Sequence, residues 1–164
     1  MQMIKKSLAL ISIFLLLLLV SSQTVSAEGE TLLLEASKSS ITTGQEVTIY
    51  LVVGGVPSLV CYGPVEVSFN ESLFSFVSAS PAGGTGRFDF YANQGIVSVS
   101  MNDGNISVSG RTRIAKMVFT AKAAGDGVFE IKSTDGFSYD IPNEVGMPKG
   151  AKVTVSVSTP VPKS

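Results

Sequence analysis

Residues able to do chemistry are few in these 164 residues, and they are scattered. The chain has no histidine. Without an imidazole, Ser-His-Asp and Cys-His nucleophiles are excluded, as are histidine-ligated zinc sites. Paired carboxylates could still run glycoside hydrolysis. The 13 Asp and Glu residues, however, fall at turns and at outward positions of alternating segments, as solvated surface charge does. The chain therefore reads as non-catalytic, with no cofactor and no metal site expected. Asn102-Asp103-Gly104-Asn105 offers oxygen ligands in a glycine turn. It lacks the alternating acidic spacing and closing Glu of an EF-hand loop, so a plain turn is the simpler reading.

Cys61 is the single cysteine, so no intrachain disulfide can staple the fold. Within Leu59-Val60-Cys61-Tyr62 it reads as a small buried hydrophobe rather than a reactive thiol. Asn70-Glu71-Ser72 and Asn105-Ile106-Ser107 fit the N-glycosylation triplet at expected turns, which makes Asn70 and Asn105 acceptor candidates. Sugar platforms use rows of flat rings, but this chain has no Trp and four Tyr: Tyr50, Tyr62, Tyr91 and Tyr139. Tyr50 and Tyr62 fall on outward parity, which leaves room for one stacking ring but not for a polysaccharide-binding strip.

The elements that must position these groups follow an export signal. Lys5 and Lys6 precede an apolar core, Leu8 to Val20, and Val25-Ser26-Ala27 is a small-x-small cleavage site. The apolar run is about 13 residues, short of the roughly 20 that span a bilayer. Residues 1–27 are expected to be removed, leaving one domain over 28–158 and a Pro-containing tail or linker stub over 159–164. The whole chain carries 12 basic and 13 acidic residues, and loss of Lys5 and Lys6 takes the charge from −1 to about −3. No basic stripe awaits phosphates, so nucleic acid is not an expected partner, nor is a membrane after cleavage.

No segment sustains a helical period. Short runs rich in Val, Ile, Phe, Tyr and Thr recur between Gly, Pro, Asn and Asp clusters, which predicts an all-β sandwich or barrel. Strands are expected at Thr31 to Ala36, from Glu46 with Val47, Ile49, Leu51 and Val53 inward, and from about Leu59 to Asn70 with Val65, Val67 and Phe69 inward. Further strands are expected at Leu73 to Ala79 (buried on both sides), Arg87 to Tyr91, Ile96 to Met101, Ile106 to Ser109, Arg111 to Lys122, Val128 to Ser133 and Ala151 to Ser158. Residues 134–150 read as an irregular excursion. Pro64 cannot donate a ladder hydrogen bond and marks a bulge or unpaired edge.

This strand order resembles the cohesin family. Gly44-Gln45-Glu46-Val47-Thr48-Ile49 resembles its opening strand, and Val65 to Pro81 its strand-turn-strand unit, with Phe69-Asn70-Glu71 where the family has Tyr-Asp-Pro. Asn93-Gln94-Gly95-Ile96-Val97-Ser98 resembles its central hairpin, and Ile114 to Ala121 before Ala124-Gly125 its long strand and Gly-rich turn. The resemblance implies an antiparallel two-sheet jelly roll of about nine strands that holds a dockerin-like module in an extracellular or cell-surface assembly. It also implies a recognition face on one sheet, for which parity nominates Tyr62, Pro64, Glu66, Ser68, Ser98, Ser100, Lys116, Val118 and Thr120. Two other readings stand beside it: a carbohydrate-binding sandwich recognising extracellular polysaccharide, and a self-pairing adhesive domain. The expected product is a secreted monomer.

Overall fold

The computed structural model describes residues 31–54, 58–61, 64–83, 87–103, 106–107, 111–133, 137–139 and 151–161. The expected leader lies outside them. The regular elements among the described residues are all strands: β1 (Thr31–Ala36), β2 (Ser40–Thr42), β3 (Glu46–Gly54), β4 (Ser58–Cys61), β5 (Val65–Ser68), β6 (Phe74–Pro81) and β7 (Arg87–Asn93). They continue as β8 (Ile96–Asp103), β9 (Ile106–Ser107), β10 (Thr112–Ala121), β11 (Gly125–Ser133), β12 (Phe137–Tyr139) and β13 (Lys152–Ser158).

Two layers form the sandwich, a four-stranded sheet in the order β1-β3-β10-β6 and a six-stranded sheet in the order β2-β13-β11-β5-β8-β7. The short strands β12, β4 and β9 form a third, small sheet. Pairing is antiparallel apart from β2, which lies parallel to β13. Alternation sets the core, because in a pleated strand every second side chain points to the same side. Val47, Ile49, Leu51 and Val53 from β3 meet Val65, Val67, Val97 and Val99 from β5 and β8, and none of these is more than 1% exposed. Ala115, Met117 and Phe119 of β10 are fully buried. The layers are joined by Phe119 of one sheet against Phe129 of the other at 4.8 Å, with Phe69 4.9 Å from Phe119 and Phe74 4.9 Å from Phe129. Such tilted pairs add about 0.5–1.5 kcal/mol each beyond their buried area.

Three local expectations are corrected. The strand expected from Leu59 to Asn70 is two strands in different sheets, β4 and β5, and exposed Pro64 stands in the gap where no ladder donor is available. The segment Leu73 to Ala79 is not buried on both sides. Its strand β6 is the rim of the four-stranded sheet, and a register shift opposite Val118 and Phe119 leaves Val77 bulged and 50% exposed. The strand expected from Val128 begins earlier, since β11 already pairs with β13 from Gly125.

Candidate functional site

The burial of Val65, Val67, Val97 and Val99 turns their neighbours outward, and the ladders assemble those neighbours into rows across four adjacent strands. In one row Tyr91 stands opposite Ser98, Ser98 opposite Glu66, and Glu66 opposite Ser133. In the next, Asn93 stands opposite Ile96, Ile96 opposite Ser68, and Ser68 opposite Glu130. Asp89 faces Ser100 in a third. The face therefore sets small hydroxyls around Glu66 at its centre, with Asp89 on β7 and Glu130 on β11 towards its two sides. Tyr91, 67% exposed, is the large aromatic ring that stands out from it among the described residues.

The β7–β8 turn fixes the upper end of this face. Gln94 (φ 48) and Gly95 (φ 73) both adopt the left-handed region that a two-residue hairpin turn requires. The carbonyl of Gly95 accepts a hydrogen bond from the Phe69 N–H at 2.7 Å, tying the turn to the end of β5. A Cβ at position 95 would come within 2.9 Å of the Phe69 carbonyl oxygen, so the close approach also calls for glycine. Below the turn lies a hollow of about 220 Å³ lined by Glu66, Tyr91, Asn93, Gln94, Ile96 and Ser98.

The opposite margin is ionic. The carboxylate of Glu130 accepts from Lys132 and, at 3.2 Å, from Lys152. Hydrogen bonding from Lys132 first and Lys152 second holds its pKa below the ordinary carboxylate range. The hydroxyl of Ser68 donates to the Glu130 carbonyl at 3.3 Å, linking this margin to the centre.

The predicted recognition residues divide. Glu66, Ser68, Ser98 and Ser100 share the outer face of the six-stranded sheet, and exposed Pro64 precedes β5 at its margin. Lys116, Val118 and Thr120 do not join them, because β10 pairs with β3 and β6 and their side chains line the far side of the molecule. The strand beside β5 is β11, which brings Glu130 and Lys132 instead. Strands β10 and β11 both alternate well, and alternation alone cannot say which of them neighbours β5. Tyr62 and Asn105 lie outside the described residues. Asn70 is exposed, and its side-chain oxygen accepts from the Ser72 N–H at 2.9 Å and the Ser72 hydroxyl at 2.7 Å, closing the turn. Tyr91, Asp89 and Asn93 also lie on this face, and the alternation Arg-Phe-Asp-Phe-Tyr-Ala-Asn in β7 carries the signal that places them outward.

Among the described residues, no group of three or more Cys, Asp or Glu side chains could hold a metal. No family model matches the sequence, and no curated protein is similar to it. The fold, by contrast, is that of solved cohesins. The sixth cohesin of Acetivibrio cellulolyticus scaffoldin B, in complex with a Cel5 dockerin, aligns over 79% of this chain and 99% of its own, at 14% identity and a TM-score of 0.62. A type I cohesin of Clostridium thermocellum in a cohesin–dockerin complex aligns over 78% and 99%, at 14% identity and a TM-score of 0.59. A non-cellulosomal cohesin of the archaeon Archaeoglobus fulgidus aligns over 79% and 91%, at 15% identity and a TM-score of 0.54. The chain thus has a cohesin-like β-sandwich fold.

Proposed function

We propose that this cohesin-like sandwich is an exported, non-catalytic binding module whose outer six-stranded face captures a dockerin-like protein partner. The observation that carries the reading is the face itself. Rows of Tyr91, Ser98 and Glu66 and of Asn93, Ile96 and Ser68 lie on a strand scaffold whose underside is fully buried beneath β5 and β8 and partly buried beneath β7. A surface so supported is preformed, so little ordering entropy is lost on association. Small polar residues around one projecting aromatic suit a protein interface better than a wall of like charge would. Solved relatives of this fold include cohesins bound to dockerins, which supports the same partner class here. The leader over residues 1–27 supports secretion to the extracellular space or cell surface, with a monomeric domain as product.

The experiment is a pull-down with the immobilised mature domain from culture supernatant of the source organism, the retained proteins being identified by mass spectrometry. Retention of proteins carrying duplicated calcium-loop repeats is the expected result. A second reading, a glycan ligand on the same face, draws on the exposed ring of Tyr91 beside its hollow. Retention of the domain on insoluble polysaccharide, with no protein captured, would select it.

A further inference from the structure

The far side of the molecule carries a second cluster that the partner face does not use. Glu35 of β1 projects outward between two arginines at the start of β10. Arg111 Nη2 donates to Glu35 Oε1 at 2.8 Å, and Arg113 Nε donates to Glu35 Oε2 at 3.0 Å. The Arg113 guanidinium also lies 4.1 Å above the centroid of the Tyr50 ring. Both arginine side chains remain about half exposed, at 51% and 53%. They border a hollow of about 510 Å³ floored by Val52, Ala82 and Gly83. Gly83 lets the backbone come close, since a Cβ there would meet the Arg113 carbonyl oxygen at 2.9 Å.

We propose that this hollow binds a carboxylate group on a small ligand. Two guanidiniums against one carboxylate leave a formal charge of +1, in a chain whose net charge is −1. That balance suits a monoanion better than a dianionic phosphate. Glu35 engages Arg113 through Nε, and the Tyr50 ring holds the guanidinium plane. The terminal nitrogens of a guanidinium fixed in this way form a planar fork, the geometry that meets a carboxylate through two parallel hydrogen bonds. The small apolar floor gives space for the body of the ligand. The proposal is independent of the partner face, which lies on the other sheet.

The test is a two-dimensional amide NMR titration of the mature domain with sodium chloride, sodium acetate, glucuronate and N-acetylglycylglycine. The amides of Glu35, Gly83 and Thr112 are expected to shift with the carboxylates well before they respond to chloride. Tighter binding of glucuronate would identify the source as an acidic sugar, and tighter binding of the dipeptide as a chain terminus. Either result supports the site. Arg113→Lys, alone or with Arg111→Lys, keeps the charge but loses the fork and should weaken binding by at least about tenfold with the fold intact by the same spectra. Equal response to chloride and carboxylates, or lysine variants that bind as well as the parent, would overturn the proposal.

Discussion

Tyr91 stands directly across the β7–β8 ladder from Ser98, on the outer side of a sheet whose inner side is closed by Val97 and Val99. A large ring beside a small hydroxyl leaves one side of the ring open to a partner. Truncation by Tyr91→Ala should weaken partner capture by about tenfold, as loss of an interface aromatic anchor does. The melting temperature should hardly move, because the ring is 67% exposed. Surface plasmon resonance against a captured partner, alongside calorimetry, would check both halves.

Gly95 fixes the end of that face at the β7–β8 turn. Gly95→Ala puts a side chain at φ 73 and within 2.9 Å of the Phe69 carbonyl oxygen. The left-handed conformation alone costs about 1–2 kcal/mol, and the clash adds to it. Chemical denaturation should show the loss as a lower midpoint, with weaker partner binding because the β7–β8 turn shifts.

Gly127 is a packing position rather than a turn position. A Cβ there would lie 2.0 Å from Phe74 Cε2, inside the ring cluster that joins the layers. Gly127→Ala should destabilise the domain by about 1–3 kcal/mol through overpacking. Combining it with Phe74→Leu should recover part of the loss, and a denaturation double-mutant cycle would measure the coupling.

Glu130 gives a pH signature. Its folded-state pKa is lowered by Lys132 and Lys152. Its contribution is therefore present at pH above the ordinary carboxylate range, and it disappears as pH falls through the depressed value. The effect is small because the pair is open to solvent. The melting temperature of the parent should exceed that of Glu130→Gln near neutrality, and the two should converge on acidification. A gap that widened in acid would contradict the pairing.

Much of the sandwich is legible in the sequence because burial on one face imposes a period of two. Val47-Thr48-Ile49-Tyr50-Leu51 and Val65-Glu66-Val67-Ser68 announce both their strands and their inward sides, and the glycine of Asn93-Gln94-Gly95 announces a hairpin. The order of strands across a sheet is less legible. Ala115, Met117 and Phe119 in β10 alternate as regularly as Phe129 and Ile131 in β11, yet only β11 lies beside β5. That choice rests on contacts between segments far apart in the chain. Hence Glu66, Ser68, Ser98 and Ser100 share one outer face, while Lys116, Val118 and Thr120 lie on the opposite side. The Glu35, Arg111 and Arg113 cluster was invisible for the same reason, since it brings together residues from β1 and the start of β10.

Setting the two outer faces against each other in one capture assay decides which of them receives the partner. Glu66→Arg with Ser98→Arg places two bulky cations on the six-stranded face, and Lys116→Glu with Val118→Arg alters the four-stranded face. The prediction is that the first pair abolishes capture of the supernatant partner while the second leaves it intact, both at near-parent melting temperature. Capture that survives the first pair and is lost with the second would contradict it.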